Sequence, residues 1–215
     1  MGVLEQIASD IVKGNSESVH ALTQQAVDEN IATVDILNNG LVAGMNVVSE
    51  QFKNNEIFIP EVLISARAMK AGMEIIRPLL AEAQVEPRGR VILGTVQGDL
   101  HDIGKNIVAM LLEGAGFDII DLGADVPIEK FVESAKNEGA DIIGMSALLT
   151  TTMVNMRPTI EALENLELKK GLKVMIGGAP ITQTFANEIH ADGYAPDAAE
   201  AVDLAFSLMG AAPKK

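Results

Sequence analysis

Apolar and polar residues fall into two textures along the chain, and the change between them divides it. From Val3 to about Ala83 apolar residues recur at three- and four-residue steps, and no stretch alternates as a half-buried strand would. In "LNNGLVAGMNVVSEQF" the positions Leu37, Leu41, Met45, Val48 and Phe52 draw one stripe down a helix. Breaks fall at "GNSES", "DENIA" and "NNEIFIP". The next helix is predicted to begin near Pro60, a residue tolerated in a first turn, and to carry Val62, Leu63, Ala66, Met69 and Met73. A bundle of about four helices fits this half.

Beyond the polar segment "LAEAQVEPRGR" the pattern changes to short apolar runs, "VILGTV", "FDIIDLG", "ADIIGMS" and "KVMIGGA", separated by amphipathic stretches. Near-continuous apolar strands alternating with helices indicate a parallel sheet covered on both faces. A short strand near Gly193 to Ala195 and a final helix from Ala198 to Met209 complete five α/β units. The predicted architecture is a helical domain over residues 1–83, a linker over 84–90, and a Rossmann-like (flavodoxin-like) domain with a five-stranded parallel sheet over 91–215. Pro87 and Gly89 bracket the polar part of the linker, so Glu86 to Gly89 is its predicted hinge.

Composition removes several classes of function. A formal net charge of −14 opposes binding to nucleic acid or to an anionic membrane. The chain has no cysteine, which excludes disulfides, thiolate metal sites and cysteine nucleophiles. No charged-then-apolar signal opens the sequence and no apolar run is long enough to cross a bilayer, so a cytoplasmic location is expected.

Ligands of such sheets bind beyond the C-terminal ends of the strands, and three segments fall there. "GDLHDIGKN" follows the first strand, "SALLTTT" the third and "GGAP" the fourth. Each alone has an ordinary reading. Gly177 and Gly178 suit a tight turn, Ser146 and Thr150 could cap a helix, and Asp102 could cap the helix that follows His101. Asp99, two residues before His101, could accept its Nδ1–H and leave Nε2 for a metal. With three histidines in the chain and no cysteine, a zinc-type site lacks ligands. One histidine ligates usefully where a macrocycle brings the other donors, as a corrin does for cobalt.

Asp99-Leu100-His101-Asp102-Ile103-Gly104, then 41 residues, Ser146-Ala147-Leu148, then 28 residues, and Gly177-Gly178 form a linked series. It resembles the histidine-on cobalamin-binding signature shared by methionine synthase and by the small corrinoid proteins of methanogens and acetogens. Those serve methanol, methylamine, betaine and methoxyaromatic methyltransferases. "GMNVVSEQFKNNEIFIPEVLISARAMKAG" is similar to the helical cap that precedes their binding domain. The resemblance implies that His101 is the lower ligand of cobalt, paired with Asp99. It implies a cobalamin or related corrinoid site formed by Gly98, Leu100, Asp102, Ile103, Gly104, Ser146, Leu148, Thr150, Thr152, Gly177, Gly178 and Ala198. Phe52, Ile59 and Val62 of the cap would then lie near the upper face of the ring. Thr152 stands where the family has a serine close to the Asp–His pair. A Gly178→Val chain should take up less corrinoid while keeping its apo fold.

By the same likeness the chain is a methyl carrier, without a catalytic barrel of its own. Its partners would be a substrate-specific methyltransferase, a corrinoid:coenzyme M or corrinoid:tetrahydrofolate methyltransferase, and a reductive activating protein. Two alternatives remain at this point, a cobalamin-sensing regulatory module and a signalling domain of similar fold that uses no cofactor.

Overall fold

In the N-terminal half, apolar residues at helical spacing assemble four helical rods. The computed structural model describes residues 2–83 and 86–210. Helices α1 (Val3–Val12) and α2 (Ser16–Asp28) are separated by a turn in which the Asn15 side chain accepts from Ser18 N and so caps α2. The third rod begins as α3 (Thr33–Asp35), runs through a π-helical stretch (Ile36–Val42) and continues as α4 (Ala43–Lys53). The fourth is α5 (Ile59–Glu82), whose Glu61 carboxylate accepts from the Phe58 amide at 3.1 Å.

Two features of this unit depart from the sequence pattern. Within the π-helical stretch Ile36 is fully buried and Leu37 only half-buried, because the wider turn rotates the stripe by about one position. Gly44, just beyond it, lets α1 approach, since a Cβ there would stand 2.8 Å from the Ala8 carbonyl oxygen. On α5 the predicted face was drawn through Leu63, which is 42% exposed. The buried face instead runs through Val62, Ser65, Ala68, Met69 and Ile76, with the small residues bringing the backbone close to its neighbours.

In the C-terminal half five parallel strands lie in the order β2-β1-β3-β4-β5, with β1 (Arg90–Thr95), β2 (Asp118–Asp121), β3 (Ile142–Ser146), β4 (Lys173–Gly177) and β5 (Gly193–Ala195). The helices are α6 (Ile103–Gly114), α7 (Ile128–Glu138), α8 (Thr150–Met153), α9 (Met156–Asn165), α10 (Gln183–Glu188) and α11 (Ala198–Leu208). Central strands β1, β3 and β4 bury almost every side chain, as a sheet covered on both faces requires. The connection out of β1 goes to one side, to β2, and the chain then returns to β3 on the other side. That reversal opens a crevice above the C-terminal ends of β1 and β3.

The structure divides into two compact units, the first from the residues up to Pro87 with Glu113–Gly116, the second from Arg88–Leu112 and the residues from Phe117 on. The boundary falls within the predicted hinge of Glu86 to Gly89, whose C-terminal end is held in the second unit. Gly89 is buried, its carbonyl accepts from Asp118 N at 2.9 Å, and Arg90 N donates to Asp141 Oδ2 at 2.8 Å. The Arg88 guanidinium lies 5.3 Å over the Phe206 ring. Of the predicted hinge only Glu86 and Pro87 remain exposed, and Gln84 and Val85 of the predicted linker lie outside the described residues.

Gly178 is required for a reason invisible in the sequence. Its φ is +125° and a Cβ would come within 1.9 Å of the Ala147 carbonyl oxygen, so the loops after β3 and β4 touch backbone to backbone. The expectation that Gly178→Val spares the apo fold is therefore overturned. Gly178→Ala is already expected to cost the apo chain about 2–4 kcal/mol, from strain and overpacking together. Urea unfolding of the apo chain checks this, and parent-like stability would contradict it.

Candidate functional site

A carboxylate with no exposed surface sits at the centre of the crevice. Asp99 follows β1 through a turn in which Gly98 has φ +83° and Asp99 N donates to Val96 O at 3.1 Å. Its Oδ1 accepts from His101 N at 3.0 Å and faces His101 Nδ1 at 2.8 Å. Its Oδ2 accepts from Leu148 N at 2.8 Å, from Leu149 N at 3.3 Å and from the Thr152 hydroxyl at 2.6 Å. Burial alone would push this carboxyl up, but the hydrogen bonds from Thr152, from the His101 and Leu148 amides and from the His101 ring outweigh it. The carboxyl is held well below the usual carboxylate range.

An ionised Asp99 selects the His101 tautomer that carries its proton on Nδ1, which leaves the Nε2 lone pair unused. The imidazole is 53% exposed while its partner is sealed, so one nitrogen is anchored and the other is offered to the surface. Around it Leu100 and Ile103 are 75% and 71% exposed, and Leu148 is 44% exposed, an apolar rim beside a single nitrogen donor. Gly104 stands in the first turn of α6 with nothing within 4 Å of where a Cβ would be. Among the described residues no group of three or more His, Asp or Glu side chains could hold a metal ion. A flat, largely apolar group that brings its own equatorial donors and wants one axial nitrogen fits the residues present.

The other predicted residues fall as follows. Ser146 ends β3 in register with Thr95 of β1 and Gly177 of β4, and Thr150 opens α8. Neither caps a helix, since α8 follows Leu149 without a side-chain cap, so that ordinary reading is withdrawn. Asp102 occupies the position before α6, and its carbonyl accepts from Asn106 N at 2.8 Å. A Cβ on Gly177 would lie 3.0 Å from the Ala195 carbonyl oxygen. Ala198 begins α11 beyond β5, capped by Asp197, whose side chain accepts from Glu200 N. In the helical unit Ile59 is 40% exposed and Phe52 half-buried. Val62 has no exposed surface, because it shares the inward face of α5 with Ser65 and Met69, and it cannot meet a ligand as placed here.

Sequence reasoning passed over Lys105. Its side chain is buried, and its ammonium donates to both Asp121 oxygens at 2.5 Å and to Asn106 Oδ1 at 2.7 Å. The pair ties the start of α6 to the end of β2. A lysine one residue after the signature glycine, with an aspartate closing the next strand, was the available signal.

A family model described as a B12 binding domain matches residues 89–203, and a second of the same description matches residues 3–77. The chain belongs to the B12-binding corrinoid proteins. A corrinoid protein of Desulfitobacterium hafniense (strain Y51) is 45% identical over 213 residues, covering 98% of this chain and 99% of that one. Dimethylamine corrinoid protein 1 of Methanosarcina acetivorans is 44% identical over 208 residues, covering 96% of this chain and 97% of that one. The methanol:cobalamin methyltransferase complex MtaBC of Methanosarcina barkeri contains a chain of the same fold, with TM-score 0.87 and 31% identity over 99% of this chain and 81% of that one. Both units of this corrinoid protein are thus matched, and among the described residues no helix is long and apolar enough to cross a membrane.

Proposed function

We propose that this corrinoid protein carries a methyl group on the cobalt of a bound cobalamin or related corrinoid, between a substrate-specific methyltransferase and a second methyltransferase. The observation that carries the reading is the His101 imidazole, oriented through Nδ1 by the saturated carboxylate of Asp99 and open at Nε2 in an apolar rim. A bound corrinoid supplies the metal centre to which a methyl group attaches and from which it leaves. The chain supplies the rest. His101 Nε2 would hold the metal, Asp99 fixes the tautomer through Nδ1, and Nε2 can take up a proton whenever it is free. Gly98, Leu100, Ile103, Gly104 and Leu148 form the apolar floor. Ser146, Thr150, Gly177, Gly178 and Ala198 border the space taken by the nucleotide tail, and Thr152 holds Asp99 in place of a serine. In the helical unit Phe52 and Ile59 keep part of their apolar surface exposed.

Alignment over nearly the full length with methylamine corrinoid proteins favours the carrier over a sensing module. The partners are a methyltransferase that loads the chain, a corrinoid:coenzyme M or corrinoid:tetrahydrofolate methyltransferase that unloads it, and a reductive activating protein that recovers oxidised cofactor.

Reduced, cobalamin-loaded chain treated with labelled methyl iodide is expected to retain one label per chain through gel filtration. It should pass that label to coenzyme M or tetrahydrofolate only when the second methyltransferase is present. A loaded chain that holds no label, or holds it against every acceptor system, would contradict the carrier role.

The open space at Gly104 gives a cleaner probe than Gly178. Gly104→Leu places a good helix former where nothing is met, so apo stability should be unchanged or higher by up to about 1 kcal/mol. Cobalamin affinity should fall about tenfold or more, because the added volume lies in ligand space. Equilibrium dialysis against cobalamin checks it, and parent-like affinity would remove Gly104 from the site.

A further inference from the structure

The loop that presents Asp99 and His101 is gripped from a neighbouring loop by a residue with no assigned role. Asp125 lies between β2 and α7, exposed to solvent, with φ +52°, a left-handed conformation uncommon outside glycine though Asp tolerates it better than most. Its carboxylate Oδ1 accepts from Gly98 N at 2.7 Å, and its own amide donates to Asp99 O at 2.9 Å. The two bonds bracket the Gly98–Asp99 segment. Val126, next in sequence, donates to Thr95 O at 2.9 Å and pairs with Val96, so the whole β2–α7 connection is zipped along the exit of β1. From the opposite side Asn155 Nδ2 donates to Gln97 O at 2.8 Å.

An exposed carboxylate contributes little to a core. Its hydrogen bond to Gly98 is charge-assisted, hence among the stronger kinds. That bond holds the residue directly before Asp99, which aims the imidazole, and a pre-organised ligand tolerates misplacement of only about 0.5 Å. We infer that Asp125 is a positioning residue: by clamping Gly98 and Asp99 it sets where His101 Nε2 points. The inference rests on the reading that His101 binds cobalt.

Three substitutions separate the roles. Asp125→Asn keeps an oxygen acceptor and tolerates the left-handed backbone, Asp125→Gly keeps the backbone at no steric cost but loses the acceptor, and Asp125→Ala loses both. The apo chains come first, read by exchange of the Gly98 amide with solvent. Exchange should quicken about tenfold in Asp125→Gly, the size expected of one charge-assisted hydrogen bond, and clearly less in Asp125→Asn, which keeps a neutral acceptor. The same chains are then loaded with cobalamin, reduced to cobalt(II), and read by the fraction showing imidazole nitrogen coupling in electron paramagnetic resonance. The ratio of imidazole-on to imidazole-off should fall about tenfold in Asp125→Gly and be restored in large part in Asp125→Asn.

An Asp125→Gly chain that binds cobalamin with the parent's ratio overturns the inference, as does an Asp125→Asn chain as impaired as Asp125→Gly. A loss confined to thermal stability, with an unchanged spectrum, overturns it as well. Absence of imidazole coupling in the parent itself would instead overturn the ligand reading, and this inference with it.

Discussion

Asp99→Ala is expected to destabilise the apo chain by about 3–5 kcal/mol, the cost of breaking a buried charged network from one side. Five groups aim at this carboxylate, the Leu148, Leu149 and His101 amides, the Thr152 hydroxyl and the His101 ring. Removing it leaves buried donors without acceptors and frees the loops after β1 and β3 from each other. The melting midpoint should fall by about 10 °C. Acid should act in the same direction. The folded carboxyl titrates below its unfolded counterpart, so its contribution is complete above the unfolded value of about 4. Below that it declines, at up to about 1.4 kcal/mol per pH unit, and is gone once the folded group is protonated. Urea unfolding of parent and Asp99→Ala between pH 6 and pH 2 (about two units to either side of that value) should therefore show a gap that narrows as pH falls. A constant gap, or an Ala variant within about 1 kcal/mol of the parent at neutral pH, would mean that the network does not hold the site together.

His101→Ala should behave in the opposite way. The imidazole is half-exposed and pairs through Nδ1 with Asp99, whose carboxylate keeps four other donors. Apo stability should therefore change by no more than about 0.5–1 kcal/mol. Retention of cobalamin should weaken at least tenfold, by analogy with the roughly 10–100-fold losses caused by disturbing groups around metal ligands. Methyl transfer from the loaded chain should fall with it. A stability loss as large as that of Asp99→Ala, with cobalamin retention intact, would assign His101 to the fold and not to the ligand. The two substitutions thus divide a hydrogen-bonded pair into a structural and a functional member.

Much of this architecture was legible in the amino-acid pattern, and the parts that were not share a cause. Strands such as "VILGTV" and "ADIIGMS" are nearly continuous in apolar residues because both faces are covered, and their spacing by amphipathic stretches leaves few topologies other than a parallel α/β sheet. Asp99 and His101 stood out because a carboxylate and an imidazole two residues apart follow a buried strand. Features that depend on what another segment does were hidden. The π-helical stretch that turns Ile36 inward, the exposure of Leu63 and the burial of Val62 follow from how neighbouring helices approach. The need for glycine at 178 comes from the Ala147 carbonyl, 31 positions earlier in the sequence. Asp125 reads as one more acidic residue in a chain of net charge −14, and only the Gly98 amide gives it a task.

The central claim is that a nitrogen of this chain, and not one belonging to the cofactor, sits on cobalt. The most direct test is the cobalt(II) resonance of cobalamin-loaded chain in which every histidine carries nitrogen-15. An axial nitrogen-14 splits each cobalt line in three and an axial nitrogen-15 splits it in two, so the label reports whose nitrogen is bound. The expected result is a two-fold splitting in the labelled chain, a three-fold splitting in the unlabelled chain, and loss of the label's effect in His101→Ala. A three-fold splitting that persists in fully labelled protein would place the cofactor's own base on the metal and contradict the account.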